Sequence, residues 1–381
     1  MPLPPDFGVT LTSSEFEERF IALHQQLFAS TPYQFDDVTT HVYRPPVGLF
    51  QVDHSFIHDG ELWHLFYATG EMKNSEAYID ALHRLDFEAA SQVAIDRAQA
   101  HAVGPTPGEL QFHEEFELPS QGRFDMIARG VCSVFRRADC GSPTYGMLHD
   151  VKGDNGRGEL FIGMSVAWSD DLSNWVQDEA NPMLQAPGWT VRGSTFKDSH
   201  VMYHEGVYLI YCVVMDQSGL CTVALWTTRD WKTFEDEGPV FQCPPQLRGT
   251  IGIESPQVIE RDGIWHLFFT YGTGLQHAIS PSPTSFFGAR DSFWKVGTGF
   301  YNLGPFHATE VIRQGDQWWL STDRKEETRR LNREAGRLCY RGSYADEKTL
   351  EEGLYLSEII WKGDQPTLGQ PAVKDLSVPK C

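Results

Sequence analysis

QVDHSFIHDGELWHLFYATG, residues 51–70, and IESPQVIERDGIWHLFFTYG, residues 253–272, are two copies of one unit. Each sets an acid (Asp53, Glu254) before a run of aromatic and β-branched residues, then an Asp-Gly turn, then a second apolar run. That order is the signature of a β-hairpin. An acid at the head of a buried strand is costly to desolvate unless it borders a polar space. The unit recurs twice more. Asp53 precedes Trp63 by ten residues and Asp198 precedes Tyr208 by ten, while Glu254 precedes Trp265 by eleven and His307 precedes Trp318 by eleven.

Repetition of this kind selects among β architectures. The steps from Asp198 to Glu254 to His307 are about 55 residues, the length of one four-stranded blade. The interval from 53 to 198 holds two blades once a helical insertion is set aside, the second of them lying at about 128–175 without an acid. SDDLSNW (169–175), TRDWKTF (228–234) and SPSPTSF (280–286) each place an aromatic six residues after a Ser or Thr and read as outer-strand turns of successive blades. The expectation is an all-β, five-bladed β-propeller whose hairpins begin near 53, 130, 198, 254 and 307. In a propeller the innermost strands start around a common axis, so equivalent positions converge although far apart in sequence. The acids therefore mark strand heads that border a pocket.

Two stretches depart from the β pattern. Thr12 and Glu15 have capping-box spacing, and Phe16, Phe20, Leu23 and Leu27 form one apolar face, predicting an N-terminal helix over about 13–29. The Ala-rich, turn-free stretch of about 75–102 predicts a helical insertion in or after the first blade. No Pro/Ser-rich linker divides the chain, so residues 1–381 read as a single domain.

The chain has 381 residues, of which 41% are hydrophobic and 13% aromatic, enough for a full core. Its 31 Lys and Arg against 52 Asp and Glu give a net charge of -21, which argues against nucleic acid or an anionic membrane as partner. Seven cysteines without a CxxC pair, and an N-terminus without a basic-then-apolar leader, predict reduced thiols and a cytoplasmic location, or secretion if a signal peptide has been removed. No His/Cys cluster has metal-ligand spacing, and VKGDNGRGE (151–159) is neither a phosphate loop nor an EF-hand.

VDHSFIHDG, FKDSHVMYHEG and IESPQVIERDG, with GPFHATEVI at 304–312, resemble the corresponding segments of the five-bladed β-propeller glycoside hydrolases of families 43 and 32. The resemblance covers about 45–365. The Pro that usually follows the first acid is absent, since His54 follows Asp53 and Ser199 follows Asp198, and the Trp-x-Asn-Asp-Pro signature of family 32 is missing. Membership would imply Glu254 as general acid, Asp53 as general base (or nucleophile in a retaining enzyme), and Asp198 as the group that raises the acid's pKa and orients the sugar. It would also imply His307 holding a water or an ion on the axis, a cation or a halide, with no cofactor required.

The chemistry explains why several carboxylates are wanted. Cleaving a glycosidic bond needs one carboxylic acid that stays protonated to protect the leaving oxygen and one ionised carboxylate to activate water or attack carbon. A neighbouring third carboxylate favours protonation of the acid by like-charge repulsion. Arg192 and His200 are further candidates for substrate contact, whereas Trp265 reads as core. The expected partner is a small-molecule carbohydrate or glycoside, and the expected activity is hydrolysis of a furanoside or related small glycoside. Two alternatives stand beside it: the same scaffold recruited to intramolecular transfer, cyclisation or isomerisation of a cellular metabolite, and a non-catalytic carbohydrate-binding propeller.

Overall fold

Five separate antiparallel sheets follow one another along the chain, each beginning at one of the five hairpins. The computed structural model describes residues 38–369 apart from 47–48, 50, 72–73, 95–96, 139–141, 192–194, 243–252, 272–273, 287–300, 305–306 and 324–352. The N-terminal helix expected over 13–29 and the candidate Arg192 lie outside the described residues. After β1 (Thr40–Tyr43), blade 1 comprises β2 (Val52–His58), β3 (Trp63–Thr69), β4 (Ala98–Gly104) and β5 (Gln111–Glu117). Blade 2 holds β6 (Ala128–Arg136), β7 (Tyr145–Asp154) and β8 (Leu160–Ser169), edged by the short β9 (Val176–Gln177) and β10 (Leu184–Gln185). Blade 3 is β11 (Phe196–His204), β12 (Val207–Met215), β13 (Cys221–Thr228) and β14 (Phe234–Gln242). Blade 4 is β15 (Ile253–Arg261), β16 (Ile264–Tyr271), β17 (Gly274–Ser280) and β18 (Tyr301–Gly304). Blade 5 is β19 (His307–Gln314), β20 (Gln317–Asp323) and β21 (Leu354–Lys362), along whose outer edge lie both β1 and β22 (Gln365–Gly369).

Each pair of neighbouring blades encloses its own apolar layer. Phe66 and Leu118 meet Met147 and Ala167 between blades 1 and 2. Leu148 and Met164 meet Phe196 and Ile210 between blades 2 and 3. Tyr211 and Val223 meet Leu267 and Phe269 between blades 3 and 4. Phe268 and Leu275 meet Leu320 and Ile359 between blades 4 and 5, and Trp319 and Leu356 meet Leu65 and Tyr67 between blades 5 and 1. The layers close a ring. Pairing of β1 with β21 (Thr40↔Leu356) makes the final joint, which the Tyr43–Tyr67 hydroxyl pair at 2.8 Å ties to blade 1.

The shared turn motifs join third strands to fourth. Ser169 Oγ accepts from the Leu172 N–H at 3.0 Å, Thr228 Oγ1 from the Trp231 N–H at 3.0 Å, and Ser280 Oγ from the Ser282 N–H at 3.1 Å. A hydroxyl in this position replaces a backbone turn bond. The insertion differs from its expected extent. Helices α1 (Ser75–His83) and α2 (Phe87–Gln92) pack Tyr78, Ala81, Phe87 and Ala90 on Ala68, Ile127 and Ala128. From Ala98 onward, however, the chain is strand β4. Alanine favours helix intrinsically, but β4 is hydrogen-bonded on both edges and buries Ala98, Ala100 and Ala102. Sheet pairing outweighs the local preference. Among the described residues no helix is long and apolar enough to cross a membrane.

Around the axis the blades are tied by side chains, one from each innermost strand. Ser55 Oγ accepts from the Val134 N–H at 3.0 Å, and Ser133 Oγ from the Val201 N–H at 3.1 Å. His200 Nε2 donates to the Val258 carbonyl at 3.0 Å. The Gln257 amide both accepts from the Val311 N–H and donates to its carbonyl. Glu310 Oε2 completes the circuit by accepting from the Phe56 N–H at 2.6 Å. Burial pushes the Glu310 carboxyl up from 4.5 to about 8, against the opposing Phe56 N–H bond. Folding therefore opposes its ionisation: stability is fullest below about pH 4.5 and is lost as pH rises through about 8. Glu310→Gln keeps an acceptor and cannot ionise, so it is expected to flatten the pH dependence of unfolding and to add roughly 4 kcal/mol above that range. Urea titrations across pH check this, and a variant with the wild-type slope would refute it.

Candidate active site

Every innermost strand breaks register near its head. The ladder slips between Val52 and His54, Gly130 and Cys132, Lys197 and His200, Glu254 and Gln257, and His307 and Glu310. Four of these bulges hold a residue with positive φ: Asp53 at 43°, Asp198 at 57°, Ser255 at 47° and Ala308 at 46°. Asp tolerates the left-handed region better than most residues, whereas Ser and Ala in it are strained. The bulges re-aim the strand heads.

This geometry corrects the expected equivalence of the three acids. Asp53 and Asp198 occupy the bulge itself, but Glu254 and His307 stand one residue before it, beside Lys197 in blade 3. The ten- and eleven-residue spacings to the following aromatics record that offset. The residue in the bulge of blade 4 is Ser255, and it links the acids. Its N–H donates to Asp198 Oδ2 at 2.9 Å and its Oγ to Asp53 Oδ1 at 3.1 Å, with Glu254 its chain neighbour.

Lys197, which the sequence reading passed over, is the cation of the cluster. Its Nζ lies 3.0 Å from Asp198 Oδ2 and 2.9 Å from Glu254 Oε1. Position alone was the available signal, because Lys197 shares its slot with Glu254 and His307. His307 links the other side: Nε2 is 3.2 Å from Glu254 Oε2, and Nδ1 is 2.8 Å from Asp323 Oδ1. Asp150 is a second missed acid. It enters from β7, the second strand of the blade that lacks an acid on its innermost strand, and its Oδ2 accepts from the Asp198 N–H at 3.2 Å. Burial pushes both carboxyls up, with the Asp198 charge adding to the shift at Asp150. At Asp198, Lys197 opposes burial while Asp53 and Glu254 reinforce it.

Below the acids lies an axial cavity of about 40 Å³ whose lining includes Asp53, His54, Asp198, Ser199, Thr309 and Glu310. Asp198 Oδ1, Ser199 Oγ and Thr309 Oγ1 are buried there without a hydrogen-bond partner. The space suits a few water molecules. Both nitrogens of His307 are engaged by carboxylates, so His307 braces Glu254, and the donors that face the cavity come from other residues. His200 is likewise committed at Nε2 to the tie with Val258, and burial holds its pKa at about 4, so it acts in the ring as a neutral donor. Trp265 is buried between blades 3 and 4, as read from the sequence.

No protein-family model and no curated sequence matches the chain. Its fold is shared with solved structures. A family 32 β-fructofuranosidase from Bombyx mori is 14% identical with a TM-score of 0.59, the alignment covering 95% of this chain and 71% of that one. A thermostable family 43 glycoside hydrolase is 13% identical with a TM-score of 0.56, covering 86% and 96%. Fructan 1-exohydrolase IIa from Cichorium intybus, solved with 1-kestose, is 13% identical with a TM-score of 0.60, covering 88% and 60%. These are five-bladed propeller glycoside hydrolases, and at such identities they establish the fold.

Lys197→Met leaves the buried Asp198 and the half-buried Glu254 without their shared cation. The expected cost is roughly 3 kcal/mol near neutral pH, shrinking as the pH is lowered and Asp198, whose pKa burial raises, takes up a proton. Denaturant unfolding at about pH 8 and about pH 5 measures it. An equal loss at both would assign the effect to the lysine's methylenes.

Proposed function

We propose that the protein is a glycoside hydrolase that cleaves a furanoside or related small glycoside by carboxylate acid/base catalysis. The observation that carries this reading is Ser255, through which Asp53, Asp198 and Glu254 from three blades meet at one end of the axis. A sugar-binding surface alone has no need of three buried or half-buried acids so gathered. The fold is that of glycoside hydrolases, among them a family 32 enzyme solved with sucrose.

The hydrogen-bond geometry supports Glu254 as the acid. Asp323 orients the His307 ring through Nδ1, and Nε2 then lies 3.2 Å from Glu254 Oε2 with a proton between the two atoms, carried by either of them. In this reading Glu254 delivers that proton to the leaving oxygen. Lys197, on Oε1, stabilises the carboxylate that remains after delivery. In this reading Asp53, oriented by Ser255, acts as general base, or as nucleophile in a retaining reaction. Negative charge on Asp198 disfavours early ionisation of the acid. No step needs a metal or cofactor. A water molecule or cation in the axial cavity would be held by Asp198 Oδ1, Ser199 Oγ and Thr309 Oγ1.

The test is a panel of aryl furanosides, aryl pyranosides and fructosides, assayed with wild type, Glu254→Gln and Asp53→Asn. One glycoside is expected to be cleaved, with each variant slower by about 1000-fold. A folded wild type that hydrolyses nothing in the panel would overturn the reading, and intramolecular transfer on a cellular metabolite would take its place.

A further inference from the structure

Blade 1 carries a chain of polar side chains on its outer strands, away from the axial acids. Asp59 Oδ2 lies 3.1 Å from His64 Nε2, His64 Nδ1 lies 2.8 Å from His101 Nε2, and His101 Nδ1 lies 3.5 Å from Glu114 Oε1. The chain has three gaps. Two neutral imidazoles carry one N–H each, so two protons must serve three gaps. The Asp59 gap is well formed, and Asp59 also accepts from the Glu61 and Leu62 N–H groups at 2.7 Å each. His64 therefore donates to Asp59, and His101 donates to His64. The remaining lone pair, on His101 Nδ1, faces a carboxylate oxygen. Two acceptors confront each other there, inside a residue that is 1% exposed.

The backbone brings a third group to the same point. His101 stands opposite Glu114 and Ala102 opposite Phe112, so His113 is the extra residue of a β-bulge on β5. Successive strand residues ordinarily face opposite sides, and a bulge can re-aim one of them. His113 Nε2 comes within 3.9 Å of Glu114 Oε1, and its ring lies edge-on to His101 with centroids 5.2 Å apart. One ligand atom from each of His101, His113 and Glu114 lies within 4.8 Å of the other two.

Blade 4 provides an internal comparison. His266 and His277 repeat the imidazole pair at 2.9 Å, and His277 packs on Phe268 at 4.6 Å as His101 packs on Phe66 at 4.3 Å. The strand partner of His277 is Tyr301, where His101 has Glu114 beside the bulged His113. The stacked pair is thus a packing device of the blade, and among the described residues the added histidine and carboxylate are seen in blade 1.

We propose that His101, His113 and Glu114 form a binding site for a divalent transition-metal ion of the zinc class, with His64 and Asp59 as the relay that orients His101. Two imidazoles and one carboxylate suit zinc and its neighbours, whereas calcium and magnesium prefer all-oxygen sets. The carboxylate–histidine relay behind His101 is the usual support for a metal-bound imidazole. A water molecule would complete a four-coordinate shell.

The site does not depend on the proposed activity. Chelator-stripped full chain is titrated with zinc chloride by calorimetry, beside His113→Ala and Glu114→Gln, whose side chains are exposed enough to be replaced without unfolding. One equivalent is expected to bind with a Kd of about 1 µM or tighter, and each variant to weaken it at least about tenfold. Cobalt substitution gives a second readout: a visible d–d band without thiolate charge transfer places the ion on nitrogen and oxygen. Wild type that fails to bind zinc would mean that a proton fills the gap. Unchanged affinity in both variants, or a thiolate band, would place the ion elsewhere. Either result overturns the proposal.

Discussion

Blades of a propeller share no backbone ladder, so N–H and C=O groups at the axis would be buried without partners unless side chains meet them. Ser55, Ser133, His200, Gln257 and Glu310 meet them, each reaching the strand next in the ring. An unmade bond at such a position costs about 1–3 kcal/mol, and the circuit fixes the rotation of every innermost strand relative to its neighbours. In blades 1, 3, 4 and 5 the tie residue stands two positions after the left-handed residue of the bulge. Holding the tie therefore holds Asp53, Asp198 and Ser255 in place above it, so the placement of the acids follows from how the backbone is satisfied on the axis.

The electrostatics of the site depend on that rigidity. Asp53, Asp150, Asp198, Glu254 and Asp323 gather around Lys197, Ser255 and His307, an excess of acid that would disperse on a mobile loop. Here each carboxyl has a named partner: Ser255 for Asp53, the Asp198 N–H for Asp150, Ser255 and Lys197 for Asp198, Lys197 and His307 for Glu254, and His307 for Asp323. Preorganised charge of this kind needs no rearrangement when a reaction develops charge of its own. It also matches the overall acidity of the chain, whose field favours neutral or cationic ligands.

The hairpins were legible in the sequence because their determinants are local: alternating apolar runs, Asp-Gly turns and hydroxyl-led outer turns. All five innermost strands begin within about two residues of the expected points. What stayed hidden is three-dimensional. The offset of Glu254 and His307 was present as eleven against ten residues, but its meaning needs the bulge. Asp150 was missed because it reaches the site from a second strand, and Lys197 because an acid motif drew attention to its neighbour. The tie residues are two serines, a histidine, a glutamine and a glutamate, chemically unlike groups in one slot, so they form no motif, and His200, read as a substrate contact, both ties the ring and lines the axial cavity. Strand β4 read as helix because alanine is informative about helices only where nothing pairs with the backbone.

The joint between β1 and β21 gives this architecture a definite order of assembly. Residues 40–43 pair with residues 354–356, so the strand that completes blade 5 leaves the ribosome before all the other blades and its partner only after them. Until they meet, Leu65 and Tyr67 on one side and Trp319 and Leu356 on the other have no common layer, and Phe56 has no Glu310. Contacts this distant make folding slow, and they leave edges and apolar surface exposed during synthesis. The four internal blade interfaces can form in the order they are translated, but the fifth is a commitment of the whole chain. The ring cannot close before residues 354–356 are made, and Asp53 takes its position relative to blade 5 only with that closure.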